Sequence, residues 1–164
     1  LTLWLNPSRV QRMNDKAQIM PMLLTHAAQA ANAGEVPVAA AVVQADTGEV
    51  LAVAVNRVER DCDPTAHAEL LALREAAQKL GSPRLMGCDL YVTLEPCAMC
   101  ATAISMARIG KLVFGAYDPK GGGVEHGPRF YSQPTCHHAP EVVGGVRESE
   151  CSAQLKAFFE GLRS

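Results

Sequence analysis

The sequence predicts a three-layer α/β/α fold around a mixed five-stranded sheet. Three observations lead there. Between residues 50 and 116, strand-like and helix-like segments alternate, and such units place helices on a sheet with parallel members. A hairpin opens the series, which requires an antiparallel pair and makes the sheet mixed. The chain has 164 residues, 48% of them hydrophobic and 20% charged, which suits one domain with a single buried core.

The elements follow in order. A helix begins near Pro21, with Leu23, Leu24, Ala27, Ala30 and Ala31 as its apolar stripe and Gly34 closing it. Residues 36–43 and 50–55 read as strands joined by the turn Asp46-Thr47-Gly48. A helix over 66–80 ends at Gly81, with Pro83 beyond. Residues 89–94 form a strand, 97–107 a helix and 111–116 a strand. Residues 117–140 are irregular, and Gly121-Gly122-Gly123 predicts mobility there without the GxxxxGK pattern of a phosphate loop. Residues 142–146 supply a fifth strand, weakened by two glycines. Residues 148–162 form a last helix with Leu155, Phe158, Phe159 and Leu162 near one face. Residues 1–14 read as an N-terminal extension and 15–164 as the domain. Leu1 to Leu5 is too short for a signal-peptide core, and no apolar run approaches a membrane span.

Chemistry concentrates in His67-Ala68-Glu69 and Pro96-Cys97-Ala98-Met99-Cys100. Cys97 and Cys100 share a face of a helical turn and can grip one ion. His67 supplies a third ligand, and three protein ligands with one open position make a catalytic rather than a structural zinc. Water in that position becomes a nucleophile near neutral pH. Glu69 is left as a proton carrier. Residues two apart do not share a face inside a helix, so His67 and Glu69 belong at a helix start, with Thr65 or Asp63 as cap. Pro96 sets the same arrangement for the cysteine helix. Taken alone, CxxC also fits a thiol redox pair, which predicts no metal and a reversible disulfide. A non-catalytic zinc protein has no use for Glu69.

Around this signature stand Glu35-Val36-Pro37-Val38, Asn56-Arg57, Asp63-Pro64-Thr65-Ala66, Leu90 to Glu95, Ala107-Arg108-Ile109, Phe114 to Lys120, Phe130 to His138 and Phe158-Phe159. From about residue 20 onward the chain resembles the bacterial tRNA adenosine deaminases of the zinc-dependent cytidine/deoxycytidylate deaminase superfamily. The resemblance implies a cytidine-deaminase-like fold, one zinc per subunit on His67, Cys97 and Cys100, and Glu69 as the catalytic acid–base. It implies hydrolytic conversion of adenosine to inosine at the wobble position of a tRNA anticodon stem-loop, by a cytoplasmic homodimer. Substrate contacts are implied for Val38, Asn56, Asp118 and Phe159. Asn56 also fits a plain turn, Asp118 a strand end and Phe159 a core position. Two residues depart from the family pattern: Tyr117 stands where a basic residue is usual and Ala39 where glycine is. Deamination of a free base or nucleoside (guanine, cytosine or cytidine) is the alternative.

The net charge of −2 is not that of a general nucleic-acid binder, so phosphate contacts must be local, with Arg108, Lys111, Lys120, Arg147 and Lys156 as candidates. Six cysteines in a chain this long and apolar point to a reducing compartment rather than to a disulfide framework. Cys62 and Cys88 read as ordinary thiols. Cys136-His137-His138 is a packed loop rather than a second metal site, since adjacent residues rarely converge on one ion. His126 is expected to face solvent and His26 to lie on the first helix. Met99, Ile104, Met106 and Ile109 exceed what one face of a short helix needs, which leaves some for a subunit interface.

Overall fold

The structure is a computed structural model and describes residues 15–163, so the extension predicted over 1–14 lies outside the described residues. Five strands, β1 (Ala39–Gln44), β2 (Val50–Val55), β3 (Cys88–Leu94), β4 (Lys111–Ala116) and β5 (Glu141–Val143), form one sheet in the order β2-β1-β3-β4-β5. β1 is antiparallel to β2 and β3, while β3–β4 and β4–β5 are parallel. The helices are α1 (Ile19–Asn32), α2 (Ala68–Leu80), α3 (Ala98–Met106) and α4 (Glu148–Arg163).

Strand alternation divides the core in two. Ala40, Val42, Leu90, Val92, Leu112 and Phe114 face one side, under Ala68, Ala72 and Leu73 of α2 and Ala101 and Ile104 of α3. Ala39, Ala41, Val43, Tyr91 and Val113 face the other, under Ile19, Met20, Leu23 and Ala27 of α1 and Cys151 of α4. Burial on both faces is why β1 reads as an unbroken apolar run rather than an alternating one. The predicted layers, strand number and helix count hold. No helix among the described residues is long and apolar enough to cross a membrane.

Several local expectations change. β1 begins at Ala39, not residue 36, because Pro37 has no N–H to give and the Val38 N–H turns back to Val36 O at 2.7 Å. The Ala39 N–H then bonds Thr93 Oγ1 at 3.2 Å. Neither Thr65 nor Asp63 caps α2. Asp63 Oδ1 instead accepts from the Thr65 N–H and hydroxyl, tightening the turn before the helix. Gly121-Gly122-Gly123 is pinned: the Gly122 N–H donates to Asp118 O and the Gly123 N–H to Pro96 O. Ile104 and Ile109 are fully buried in the chain's own core, so they are not surplus, whereas Met106 is 73% exposed. On α4, Cys151 is the buried residue, and Phe159 and Leu162 stand out at 44% and 68% exposure.

This burial pattern predicts unequal costs of truncation. Ile104→Ala should destabilise the protein by about 2–5 kcal/mol, the range for a large-to-small change in a packed core. Met86→Ala, at a position 73% exposed, should shift stability by less than about 0.5 kcal/mol. Urea denaturation midpoints at unchanged slope would measure both.

Candidate metal centre and substrate cavity

Parallel pairing puts the carboxyl ends of β3 and β4 at one edge of the sheet, with Leu94 opposite Ala116. β1 runs the other way, so its amino end and Val38 lie at that edge, as does Asn56 just beyond β2. Ligands of open α/β sheets bind at the carboxyl ends of strands. Here the helices α2 and α3 begin at that place. His67 is the residue before α2, in extended conformation (φ −75°, ψ 147°). Cys97 holds the same position before α3 (φ −69°, ψ 173°). The sequence expectation that both sit at helix starts therefore holds, and Glu69, second in α2, is freed from sharing a face with His67.

His67 Nδ1 lies 3.6 Å from Cys97 Sγ and 3.6 Å from Cys100 Sγ. Tetrahedral zinc, with bonds of about 2.3 Å to sulfur and about 2.0–2.1 Å to nitrogen, sets N and S about 3.6 Å apart. All three ligand atoms lie within 4.8 Å of one another, the one such group among the described residues. The donor set thus fits zinc with a position left for water. A hydrogen bond from Cys100, against the cost of burial, and a second from His67 hold the Cys97 thiol down to about 4. The same bond and burial push Cys100 up. Cys97 is therefore the readier thiolate, and a bound cation would draw the proton from Cys100 as well.

Glu69 is 4% exposed, and burial pushes its carboxyl up to about 7, with His67 pulling it back in part. A group with that value exchanges protons at neutral pH. Asn56 is buried, and its Oδ1 accepts the Ala68 N–H at 2.8 Å. Asn56 is thus the cap that Thr65 and Asp63 do not provide, and its side-chain orientation is fixed by α2 itself. A cavity of about 1180 Å³ opens here, lined by Val38, Asn56, His67, Glu69, Cys97, Asp118 and Phe159, so every site residue named from the sequence except Cys100 reaches it. Asp118 also has a local task, since its Oδ1 accepts the N–H groups of Lys120 and Gly121. Phe159 meets Phe158 edge to face, with ring centroids 5.4 Å apart.

Sequence reasoning missed Glu95. Its side chain is fully buried and stands 2.8 Å from His126 Nδ1, so His126 does not simply face solvent. Burial raises the Glu95 carboxyl, but hydrogen bonds from His126 and from the N–H groups of Asp118, Glu125 and Val124 outweigh it and hold the group below the ordinary value. The available signal was a charged residue closing an apolar strand directly before Pro96. Also unforeseen on the cavity wall are Glu35, Leu155, Leu162 and Arg163. Of the five nominated cations, Lys120 alone lines the cavity. Lys111 starts β4 at the opposite edge, Arg147 pairs with Glu150, and Arg108 bonds His137 O. The Cys136-His137-His138 loop is packed as expected, with His138 Nε2 2.7 Å from Ile109 O. His26 lies on α1.

The family profile described as the cytidine and deoxycytidylate deaminase zinc-binding region matches residues 13–116. A tRNA-specific adenosine deaminase of Agrobacterium fabrum is 51% identical over 151 residues, spanning 92% of this chain and 98% of the relative. A structure solved in a study of A-to-I editing by tRNA:A34 deaminases at the wobble position of transfer RNA superposes with a TM-score of 0.82 at 52% identity. It covers 85% of this chain and 99% of that one. A guanine deaminase from Nitrosomonas europaea shares the fold alone, with a TM-score of 0.76 at 24% identity over 93% of this chain and 88% of that one. A matched zinc-binding region and a donor triad spaced for zinc agree on the cofactor, and the near end-to-end likeness agrees on the branch: the chain belongs to the tRNA-specific adenosine deaminases of the zinc-dependent cytidine and deoxycytidylate deaminase family.

Proposed function

We propose that this protein converts adenosine to inosine at the wobble position of a tRNA anticodon stem-loop. The observation that carries this reading is the likeness to a tRNA-specific adenosine deaminase over 92% of the chain, in which residues from separate motifs line one cavity. The cavity, at about 1180 Å³, has room for a base presented with its neighbours. The domain is residues 15–164, preceded by 1–14. Six free thiols support a cytoplasmic setting.

His67, Cys97 and Cys100 would hold the zinc, which when bound supplies Lewis-acid activation of water. Glu69 takes a proton from the attacking water and delivers it to the purine ring nitrogen as C6 becomes tetrahedral; it then takes the proton of the new C6 hydroxyl and passes it to the amine, which departs as ammonia as the C6 carbonyl forms. Its buried position keeps that proton inside the cavity. Asn56, with its oxygen committed to Ala68, turns its amide N–H groups to the substrate. Val38 and Phe159 supply apolar walls, and Asp118 and Lys120 flank the entrance used by the RNA strand. The low overall charge is no obstacle, since a hairpin loop needs few phosphate contacts, and Lys120 and Arg163 stand at the cavity.

The protein acts as a homodimer. The exposed side of α3, with Met106 at its end, and the groove between Thr102, Phe130 and His137 support an interface on this face. Light scattering should give twice the chain mass, and Met106→Glu should shift it toward the monomer. A monomer mass at all concentrations would remove the dimer.

The metal and proton roles separate in three variants. Cys100→Ala should lose zinc, His137→Ala should keep it, and Glu69→Ala should keep zinc while activity falls at least about 10²–10⁴-fold. Elemental analysis beside ammonia release measures all three. Full zinc in the Cys100 variant, or activity within tenfold of wild type in the Glu69 variant, would contradict the assignment.

For substrate, inosine should form in an anticodon stem-loop with adenosine at the wobble position, and binding should weaken as salt rises. Asn56→Asp keeps the oxygen that caps α2 but removes the amide donors, so it should suppress inosine while zinc and thermal stability persist. If that RNA stays unmodified while guanine, cytosine or cytidine is deaminated, the free-base reading replaces this one.

A further inference from the structure

Glu95 sits between the end of β3 and Pro96, with no part of its side chain exposed. Both carboxylate oxygens are saturated. Oε1 accepts the Asp118 N–H at 3.1 Å and lies 2.8 Å from His126 Nδ1. Oε2 accepts the N–H groups of Val124, Glu125 and His126 at 3.3, 3.1 and 3.2 Å. A buried ionised carboxylate needs hydrogen bonds to replace the water it loses, and here the chain from 118 to 126 wraps around it to supply them. The same segment presses on the start of α3. The Gly123 N–H donates to Pro96 O at 2.8 Å, and a Cβ on Gly123 would come within 2.5 Å of the Ala98 nitrogen. A Cβ on Gly122 would overlap Glu95 Oε2. Downstream, Tyr131 Oη donates to Ala101 O at 2.9 Å, fastening the far end to α3. Asp118, Lys120 and Gly121 of this segment line the cavity.

We propose that Glu95 is a positioning residue for the RNA: together with His126 it holds the 118–126 segment as a wall of the cavity and fixes where Asp118 and Lys120 meet the strand beside the reacting base. The proposal rests on the RNA reading above. Glu95 borders the cavity, but both its oxygens are committed to the 118–126 segment, so it acts through the backbone it gathers.

Glu95→Gln tests this, because it keeps the volume and one acceptor but presents an amide to N–H donors. Its zinc content should match wild type and kcat should stay within about threefold. KM for the stem-loop should rise on the order of tenfold, the scale of one lost charge-assisted hydrogen bond. Hydrogen exchange should quicken at the amides of 118–126 and stay unchanged in α2. His126→Ala, which removes the side-chain donor alone, should raise KM less, and His126→Asn should restore part of it. A KM within about twofold of wild type in Glu95→Gln would overturn the proposal, as would lost zinc or a collapsed kcat at unchanged KM. If instead the wild-type protein leaves the stem-loop unmodified, the RNA reading fails first and this role falls with it.

Discussion

The site depends on the parallel pairing of β3 with β4. Because both strands run the same way, the turn into α3 and the turn after β4 leave the sheet side by side. Glu95, Pro96 and Cys97 follow one strand, and Tyr117 and Asp118 follow the other. Reversing either strand would put one set at the far edge, where Lys111 and Asp89 now lie. β1, antiparallel to β3, then brings Val38 and the path to Asn56 to the same edge. Two helix starts meeting at this edge set positive partial charge beside the metal ligands, and the Cys100 N–H bonds the Cys97 sulfur, which favours thiolate.

The metal site was legible in the sequence because its chemistry dictates its spacing. Cys97 and Cys100 must share a helical turn, and His67 and Glu69 must avoid one, so the pattern carries its own local geometry. The layers of the fold were legible for a similar reason, since apolar alternation and the turns at Asp46-Thr47-Gly48 and Gly81 are local features. What stayed hidden was long-range. Nothing near Ala68 in the sequence announces that its N–H is capped by Asn56, 12 residues earlier. Nothing near Gly121 to Gly123 announces a buried carboxylate on another element. Glycine there signals close approach of backbone to backbone rather than freedom. The apolar excess around α3 was misread in part, because Ile104 and, beyond the helix end, Ile109 both fill the core on the α2 and α3 side of the sheet.

Charge was the weakest guide. A net charge of −2 describes the whole surface, while a hairpin loop meets only a small part of it. Of the cations that sequence position alone nominated, Arg108, Lys111 and Arg147 are turned to other partners. Two cations stand at the cavity, Lys120 from the loop after β4 and Arg163 from the end of α4, and the second was not nominated. Tyr117 is a ring in T-shaped contact with Phe114, centroids 5.1 Å apart, so that part of the wall is aromatic rather than charged.

The pinned glycines divide the wall into a fixed backbone and adjustable side chains. At Gly122 and Gly123 even a methyl group has no room, so the path of the chain cannot be edited there without moving α3 and the thiol at its start. Tyr117 and Lys120 are exposed from that same frame. Substrate preference in this scaffold is therefore tunable by exchanging what the wall displays, at little risk to the metal centre, whereas lengthening or bulking the wall at its glycines would disturb both at once.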